Sequence, residues 1–436
     1  MSDAWGVAGV QDSSGKTPTV ESLGVLPNNK EVLLAKFQIP GGLDLDKPQY
    51  NLGKFLTEAN YPYGRIIQAY GTDFSMVLAK KSPFPTSVMA DWETAKKCDR
   101  RKFPIGVDDL GNPVYWDTKT TPHLLISGKS GSGKSSASQI VIAEALLKGE
   151  DIILIDPSKG CIDFTQWAKP KALAFVGLYQ LRETEAVISW AREEMAERVR
   201  INNKYGVGNI FELNPDDVEE ADRKHLKPLN ILFDEFNSYL QETGKTTQNP
   251  QKDMQIANDN AAVSATNASI ARTMSALSKI IVQGRTAGIR CIFGAQRLTM
   301  DDMKKYNGNA FFRSLGRILL GMDSPAGVVS AQNLSEANRT QKSLKNEDGL
   351  IPVGRGMYES MQGTLMAVQT WYSGGQDELA KLVADIPNPE PIDYQQYMPR
   401  AAEQFTKLDV EDIKEIFTSN NGSENVEDED VEEEEW

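Results

Sequence analysis

The chain has 436 residues, 25% of them charged and 40% apolar, with a formal net charge of −14. This is the composition of a folded soluble protein with room for about two to four domains. Cys98, Cys161 and Cys291 are odd in number and lack metal spacing, which excludes a disulfide framework and points to a reducing cytoplasm. With only His123 and His225, a histidine-based metal site or a Ser-His catalytic system is excluded as well.

No run approaches the ~18 apolar residues of a membrane span, and the opening "MSDAWGVAGVQDSSGKTP" lacks the basic-then-apolar order of a signal peptide. A membrane or portal role would therefore come through a partner bound to the N-terminal domain or the acidic tail. The acidity is unevenly spread. Nine acidic residues and no basic one fall in Ser423–Trp436, so the rest of the chain is much closer to neutral and can carry a basic surface.

In chain order, residues 1–28 are expected to be disordered and 29–100 to form a small α+β domain of short strands broken by Gly and Pro. "VDDLGNPVYWD" (Val107–Asp117) predicts a hairpin turning at Gly111-Asn112-Pro113. From His123 the pattern changes. "HLLIS" predicts a buried strand and "KSSASQIVIAEALLKG" a helix, followed by the strand "DIILIDPS". The helix "RETEAVISWAREEMAERVR" aligns Val187, Ala191, Met195 and Val199 on one face. The strand "LNILFDEF" follows. After it, the helix "SIARTMSALSKIIVQGR" aligns Ile270, Met274, Leu277 and Ile281, and "IRCIFGAQR" and "GRILLGM" predict two more strands. Fully apolar strands alternating with helices imply an α/β fold with a mainly parallel sheet covered on both faces, assigned here to residues 101–400. The polar stretch Gln241–Ser269 is long for a loop, and 401–436 forms an acidic tail expected to be disordered.

"GKSGSGKS" (Gly128–Ser135) fits G-x-x-x-x-G-K-[ST] between a strand and a helix, as phosphate binding by backbone N–H groups requires. Gly128, Lys129, Ser130, Gly131, Ser132, Gly133, Lys134, Ser135 and Ser136 are therefore expected to hold a nucleoside triphosphate. Lys134 would reach the β/γ-phosphates and Ser135 would bind Mg²⁺. "NILFDEF" places Asp234 at a strand's carboxyl end, where it would serve the metal, with Glu235 next to it as the base that activates water. Gln296, at the end of "CIFGAQR", could sense the γ-phosphate or orient water.

In order along the chain, these segments resemble the FtsK/SpoIIIE/HerA-type motor ATPases. The resemblance runs through "PHLLISGKSGSGKSS", "ILIDPSKG" (Ile153–Gly160), "WAREEMAERVRINNKYGVGNIFELN" (Trp190–Asn214), "ILFDEF", "QGRTAGIRCIFGAQRLT" (Gln283–Thr299) and "VGRGMYES" (Val353–Ser360), and covers about residues 100 to 375. It implies a RecA-like core, a hexameric ring, ATP with Mg²⁺, and movement of double-stranded DNA through the pore. It also implies an arginine finger acting across the subunit boundary, with Arg285 first and Arg313 and Arg317 behind it. In such a ring the polar stretch, with Lys245 and Lys252, would face the pore and contact phosphates.

The sequence departs from the family at Arg290, where a His is usual, and at Leu298, where Pro is favoured. It carries neither the cell-division proteins' membrane helices nor room for their winged-helix DNA reader. That favours a soluble motor for conjugation or phage packaging. The alternatives are a type VII-like protein secretion motor and a switch whose output is ATP-driven ordering. The tail, ending in Trp436, is expected to solubilise, to dock a partner, or to occupy the motor's own DNA site.

Overall fold

The computed structural model describes residues 1–27, 29–44, 46–240, 254–306, 308–322 and 324–399. Residues 241–253, with Lys245 and Lys252, and the acidic segment 401–436, with Trp436, lie outside the described residues.

The N-terminal part is a four-stranded antiparallel sheet in the order β1-β2-β4-β3: β1 (Thr19–Leu26), β2 (Asn29–Gln38), β3 (Tyr63–Tyr70) and β4 (Asp73–Ala79). The helix Asp46–Glu58 packs with it. The opening residues depart from the expected disorder. Ser2–Val7 is a helix, and Trp5 is fully buried, stacked on Phe55 at 3.9 Å between ring centroids and edge-on to Phe37 and Phe74. One indole can bury enough apolar area to order a short segment whose average composition is polar.

Ten further strands form one sheet: β5 (Lys102–Val107), β6 (Pro113–Asp117), β7 (His123–Gly128), β8 (Asp151–Ile155), β9 (Ala174–Val176), β10 (Leu229–Phe233), β11 (Ile289–Ala295), β12 (Leu315–Leu320), β13 (Arg355–Glu359) and β14 (Leu365–Thr370). The order is β6-β5-β14-β13-β12-β7-β11-β10-β8-β9. From β12 to β9 every pairing is parallel, and from β12 to β6 every pairing is antiparallel. β7, β10, β11 and β12 are buried along their whole length, which is why they read as unbroken apolar runs. The predicted hairpin is β5-β6, turning through Asp108–Asn112 with Gly111 at φ 80°.

Helices cover both faces. Lys134–Leu147 packs on one, with Val141 and Ala145 in its core. Leu181–Tyr205 packs on the other through Val187, Ala191 and Met195, with Val199 at the margin, and it ends at Gly206 in the left-handed region. Its partner helix runs Met254–Gln283, with Ile270, Met274, Leu277 and Ile281 inward. That helix begins well before the expected start at Ser269, so the described end of the polar stretch is helical, not loop. Its apolar residues there are mostly alanines, which favour helix strongly but give a weak hydrophobic period.

The two sheets are tied together by side chains. Arg65 grips Asp109 with two hydrogen bonds of 2.6 and 2.5 Å, and the Tyr63 hydroxyl donates to the Lys345 carbonyl at 3.1 Å. Fully buried Arg355 donates to Ser82 Oγ and the Pro85 carbonyl.

Candidate functional site

β7 delivers the chain to the G-x-x-x-x-G-K-S loop, and its packing shows why the loop is made of small residues. A Cβ on Gly128 would lie 2.4 Å from Ser132 Oγ and 2.7 Å from the Leu320 carbonyl. Gly131 and Gly133 hold φ of 75° and 99°, and a Cβ on Gly133 would lie 2.9 Å from the Gly354 nitrogen. Gly354 N–H donates to the Ser132 carbonyl at 2.8 Å, so the late Val353-Gly354 turn buttresses the loop. The helix Lys134–Leu147 then starts with its N–H groups and positive dipole end at the loop.

Four charged side chains converge beyond the loop. Lys134 Nζ donates to Asp234 Oδ1 at 3.1 Å and to Glu235 Oε1 at 2.9 Å, and Lys159 Nζ reaches the same Glu235 oxygen at 2.5 Å. Asp234 and Glu235 follow β10 and are almost wholly buried. Glu235 has φ 47°, a left-handed conformation rare for a residue with a side chain, and its Oε2 is buried without a hydrogen-bond partner. Gly294, on neighbouring β11, makes room for Asp234: a Cβ there would sit 2.0 Å from Oδ1.

The electrostatics follow from this crowding. Burial works against the Lys134 ammonium, but Asp234 and Glu235 outweigh it and hold its pKa above the ordinary lysine value. Burial pushes the Glu235 carboxyl up, yet Lys159 and Lys134 together hold it below the usual range, so it stays an anion.

The loop, Lys159, Glu235 and Gln296 line an open cleft of about 320 Å³, with Lys129, Ser130, Lys134, Ser135, Ser136 and exposed Val353 on its walls. It lies at the carboxyl ends of the parallel strands, where open α/β sheets bind ligands. Gln296 is exposed at the end of β11. Its backbone N–H donates to Asn237 Oδ1 at 3.1 Å, and its carbonyl accepts from Ser127 Oγ at 3.3 Å.

A polyphosphate fits these residues. The glycine-shaped cradle, the helix N-terminus, the Lys134 ammonium and the buried, unpartnered Ser132 Oγ all suit an anion. Ser135 and Asp234 are the residues that would hold a divalent ion. Among the described residues no trio of His, Cys, Asp or Glu could hold a metal ion, so phosphate oxygens and water would have to complete its shell, as is usual for Mg²⁺.

The arginines are elsewhere. Arg285 is exposed on the turn before β11, and Arg313 is exposed at the end of the short helix Gly308–Arg313 before β12. Both lie at the opposite end of the strands from the cleft, about 20 Å away along seven-residue β11. Arg317 is not available as a finger. It lies on buried β12 directly opposite Glu359 on β13, pairs with it at 2.6 Å and donates to the Phe312 carbonyl at 2.5 Å. A strand enclosed on both faces can keep an arginine only if the charge is answered inside.

Sequence reasoning missed Lys159, Gly294 and the Val353-Gly354 buttress. Lys159 had a signal, because it lies in the turn "DPSKG" directly after an apolar strand. Gly294 had none, since the side chain it admits comes from another strand.

Residues 87–300 match the FtsK/SpoIIIE family. DNA translocase SftA of Bacillus subtilis (strain 168) is 30% identical over 136 residues, which is 30% of this chain and 14% of that protein. DNA translocase FtsK 2 of Neisseria meningitidis serogroup A / serotype 4A is 25% identical over 233 residues, 48% of this chain and 20% of that protein. The chain thus spans a fifth or less of the length of these curated relatives. Among solved structures, the pCW3 conjugation coupling protein TcpA, in its monomer form with ATPγS, superposes with a TM-score of 0.55 at 17% identity, over 87% of this chain and 99% of that one. That likeness is one of fold. No helix among the described residues is long and apolar enough to cross a membrane. With their P-loop and acidic strand end, residues 87–300 form an FtsK/SpoIIIE family domain.

Proposed function

We propose that this chain is an ATP-driven translocase of double-stranded DNA that works in the cytoplasm as a homo-oligomeric ring, a hexamer, in the transfer or packaging of a mobile element's DNA. The observation that carries the reading is the FtsK/SpoIIIE domain with its Lys134–Asp234–Glu235 cluster intact at the mouth of the cleft. The curated relatives that match it are named DNA translocases.

ATP bound with Mg²⁺ supplies an electrophilic γ-phosphorus and a diphosphate leaving group. Lys134 exchanges its carboxylate partners for the β/γ-phosphates, and the loop N–H groups bind the phosphate oxygens. Ser135 and Asp234 hold the ion. Glu235 accepts a proton from the attacking water, and Gln296 faces the γ-phosphate. Among the described residues, the cationic side chains that line the cleft from its own chain are Lys129, Lys134 and Lys159, all lysines. An arginine would come from a neighbouring copy, with Arg285 first and Arg313 second, in a head-to-tail ring.

The test is steady-state ATP turnover with and without linear duplex DNA. The proposal expects turnover to rise several-fold with duplex, and a rate indifferent to DNA contradicts it. Mixing Arg285→Ala with Glu235→Gln subunits is expected to restore part of the activity. If neither Arg285 nor Arg313 gives such rescue, the finger does not act in trans.

A further inference from the structure

Among the described residues, Lys159 is the cation at the cleft that belongs neither to the P-loop nor to the acidic strand end. Its turn, directly after β8, is firmly built. The Asp156 carboxylate accepts from the backbone N–H groups of Ser158, Lys159 and Cys161 at 3.0, 2.8 and 3.0 Å. On the other side, Tyr179 N–H donates to the Pro157 carbonyl at 2.9 Å, and Gly160, at φ 77°, lies against Leu178. From this fixed base the side chain reaches from β8 to the end of neighbouring β10. The Lys159 side chain is 58% exposed and that of Glu235 4%, so a largely solvated lysine is directed at a buried carboxylate.

Glu235 divides its two oxygens unequally. Oε1 accepts from both Lys134 and Lys159, while Oε2 is buried and accepts from nothing. The two lysines differ in what else they face. Lys134 stands in the first turn of the loop helix, where a polyphosphate competes for its ammonium with the two carboxylates. Lys159 is based on the other side of the carboxylates. After Lys134 turns to the phosphates, Lys159 is the remaining described cation on a buried, charged Glu235, whose backbone is already in an unfavourable conformation.

We propose that Lys159 is the positioning residue of the hydrolytic step: it holds Glu235 Oε1, so that Oε2 is the oxygen left to accept from the attacking water. The proposal rests on the reading of Glu235 as the base.

The experiment uses the full chain with duplex DNA present. It measures kcat and KM for ATP and the Kd of a fluorescent ATP analogue, whose binding stoichiometry also counts folded sites. Lys159→Met is expected to lower kcat by about 30-fold or more while KM and Kd stay within about threefold, because the loss falls on the transition state. Lys159→Arg, which keeps the charge and the donors, is expected to retain a third or so of the wild-type kcat. In a Glu235→Gln background, Lys159→Met is expected to cost less than about twofold more, because the effect runs through Glu235.

Three results overturn the proposal. An unchanged or raised kcat in Lys159→Met would make Lys159 dispensable or a brake. A raised KM and Kd at constant kcat would make it a phosphate ligand. An equal fold-loss in both backgrounds would make it independent of Glu235. Failure of the underlying reading shows up separately, as wild-type turnover by Glu235→Gln alone.

Discussion

Two clusters of buried charge sit at opposite ends of the same parallel strands. At the carboxyl ends are Lys134, Asp234, Glu235 and Lys159. At the other end, Glu150 precedes β8, with Asn230 on β10 and Arg290 on β11 beside it. Arg290 pairs with Glu150, Asn230 Nδ2 donates to the same carboxylate oxygen at 2.9 Å, and the guanidinium stands over the Phe103 and Phe211 rings at 5.1 and 5.6 Å. Both clusters are ion pairs taken out of water. They differ in their surroundings. The far cluster is shut in by strands and aromatic rings. The near one opens on a cleft, bends the backbone at Glu235 into a left-handed conformation, and uses a cation that is more than half solvated. Buried charge alone therefore does not mark a site. Buried charge with access and backbone strain does.

The sharpest way to break this contrast is to remove one charge from each cluster. Lys134→Ala is expected to lower ATP turnover by about 10³-fold or more, because the phosphates lose the ammonium that the first turn of the loop helix sets against them. Turnover near wild type would end the P-loop assignment. Glu235→Gln is expected to lower kcat by about 10²-fold or more with nucleotide affinity kept, since only proton acceptance is lost. A parallel loss of binding would make Glu235 structural.

At the far end, Arg290→Leu is expected to cost about 3–5 kcal/mol of stability in denaturant titration, because it leaves Glu150 buried and short of its partner. Its kcat per folded molecule should stay within about twofold of wild type. A large kcat loss with unchanged stability would erase the distinction between the two ends.

The smallest effect concerns His123, at the start of β7 and fully buried. Its Nδ1 accepts from Cys291 N–H at 3.0 Å, so Nε2 carries the proton and donates to the Ile281 carbonyl at 3.0 Å. Burial, opposed by that carbonyl and reinforced by Arg290, pushes its pKa down from 6.5 to about 4. The unfolded chain takes up a proton in this window that the folded chain refuses. Stability from this group is therefore whole above about pH 6.5 and declines as pH falls toward 4, by at most about 3 kcal/mol. Denaturation of wild type and His123→Asn from pH 7 to 4 should show a shallower slope in the variant. Equal slopes would contradict the assignment.

What could be read from the sequence was what is local. A strand, a glycine loop and a helix in succession announce a phosphate cradle, and "ILFDEF" announces an acidic strand end, because each motif is a few consecutive residues. What could not be read was brought together by the sheet. The placement of β11 between β7 and β10, which sets Gly294 beneath Asp234, is a matter of strand order. The same holds for β13 and β14, which join the β5-β6 hairpin to the parallel strands and carry Gly354 to the loop. Arg317 looked like a free cation because its partner, Glu359, lies on a strand 42 positions away. Trp5 was hidden by averaging, since one indole in a polar opening leaves the mean composition polar.

Hydrolysis at the near cluster is proposed to move this chain along double-stranded DNA. Displacement of a third strand from one end of a long linear duplex, followed in time with ATP, tests it most directly. Displacement is expected to require ATP, to start after a lag that grows with the length of duplex ahead of the third strand, and to disappear in Glu235→Gln. ATP hydrolysis that proceeds on the same duplex without displacing the third strand would contradict it.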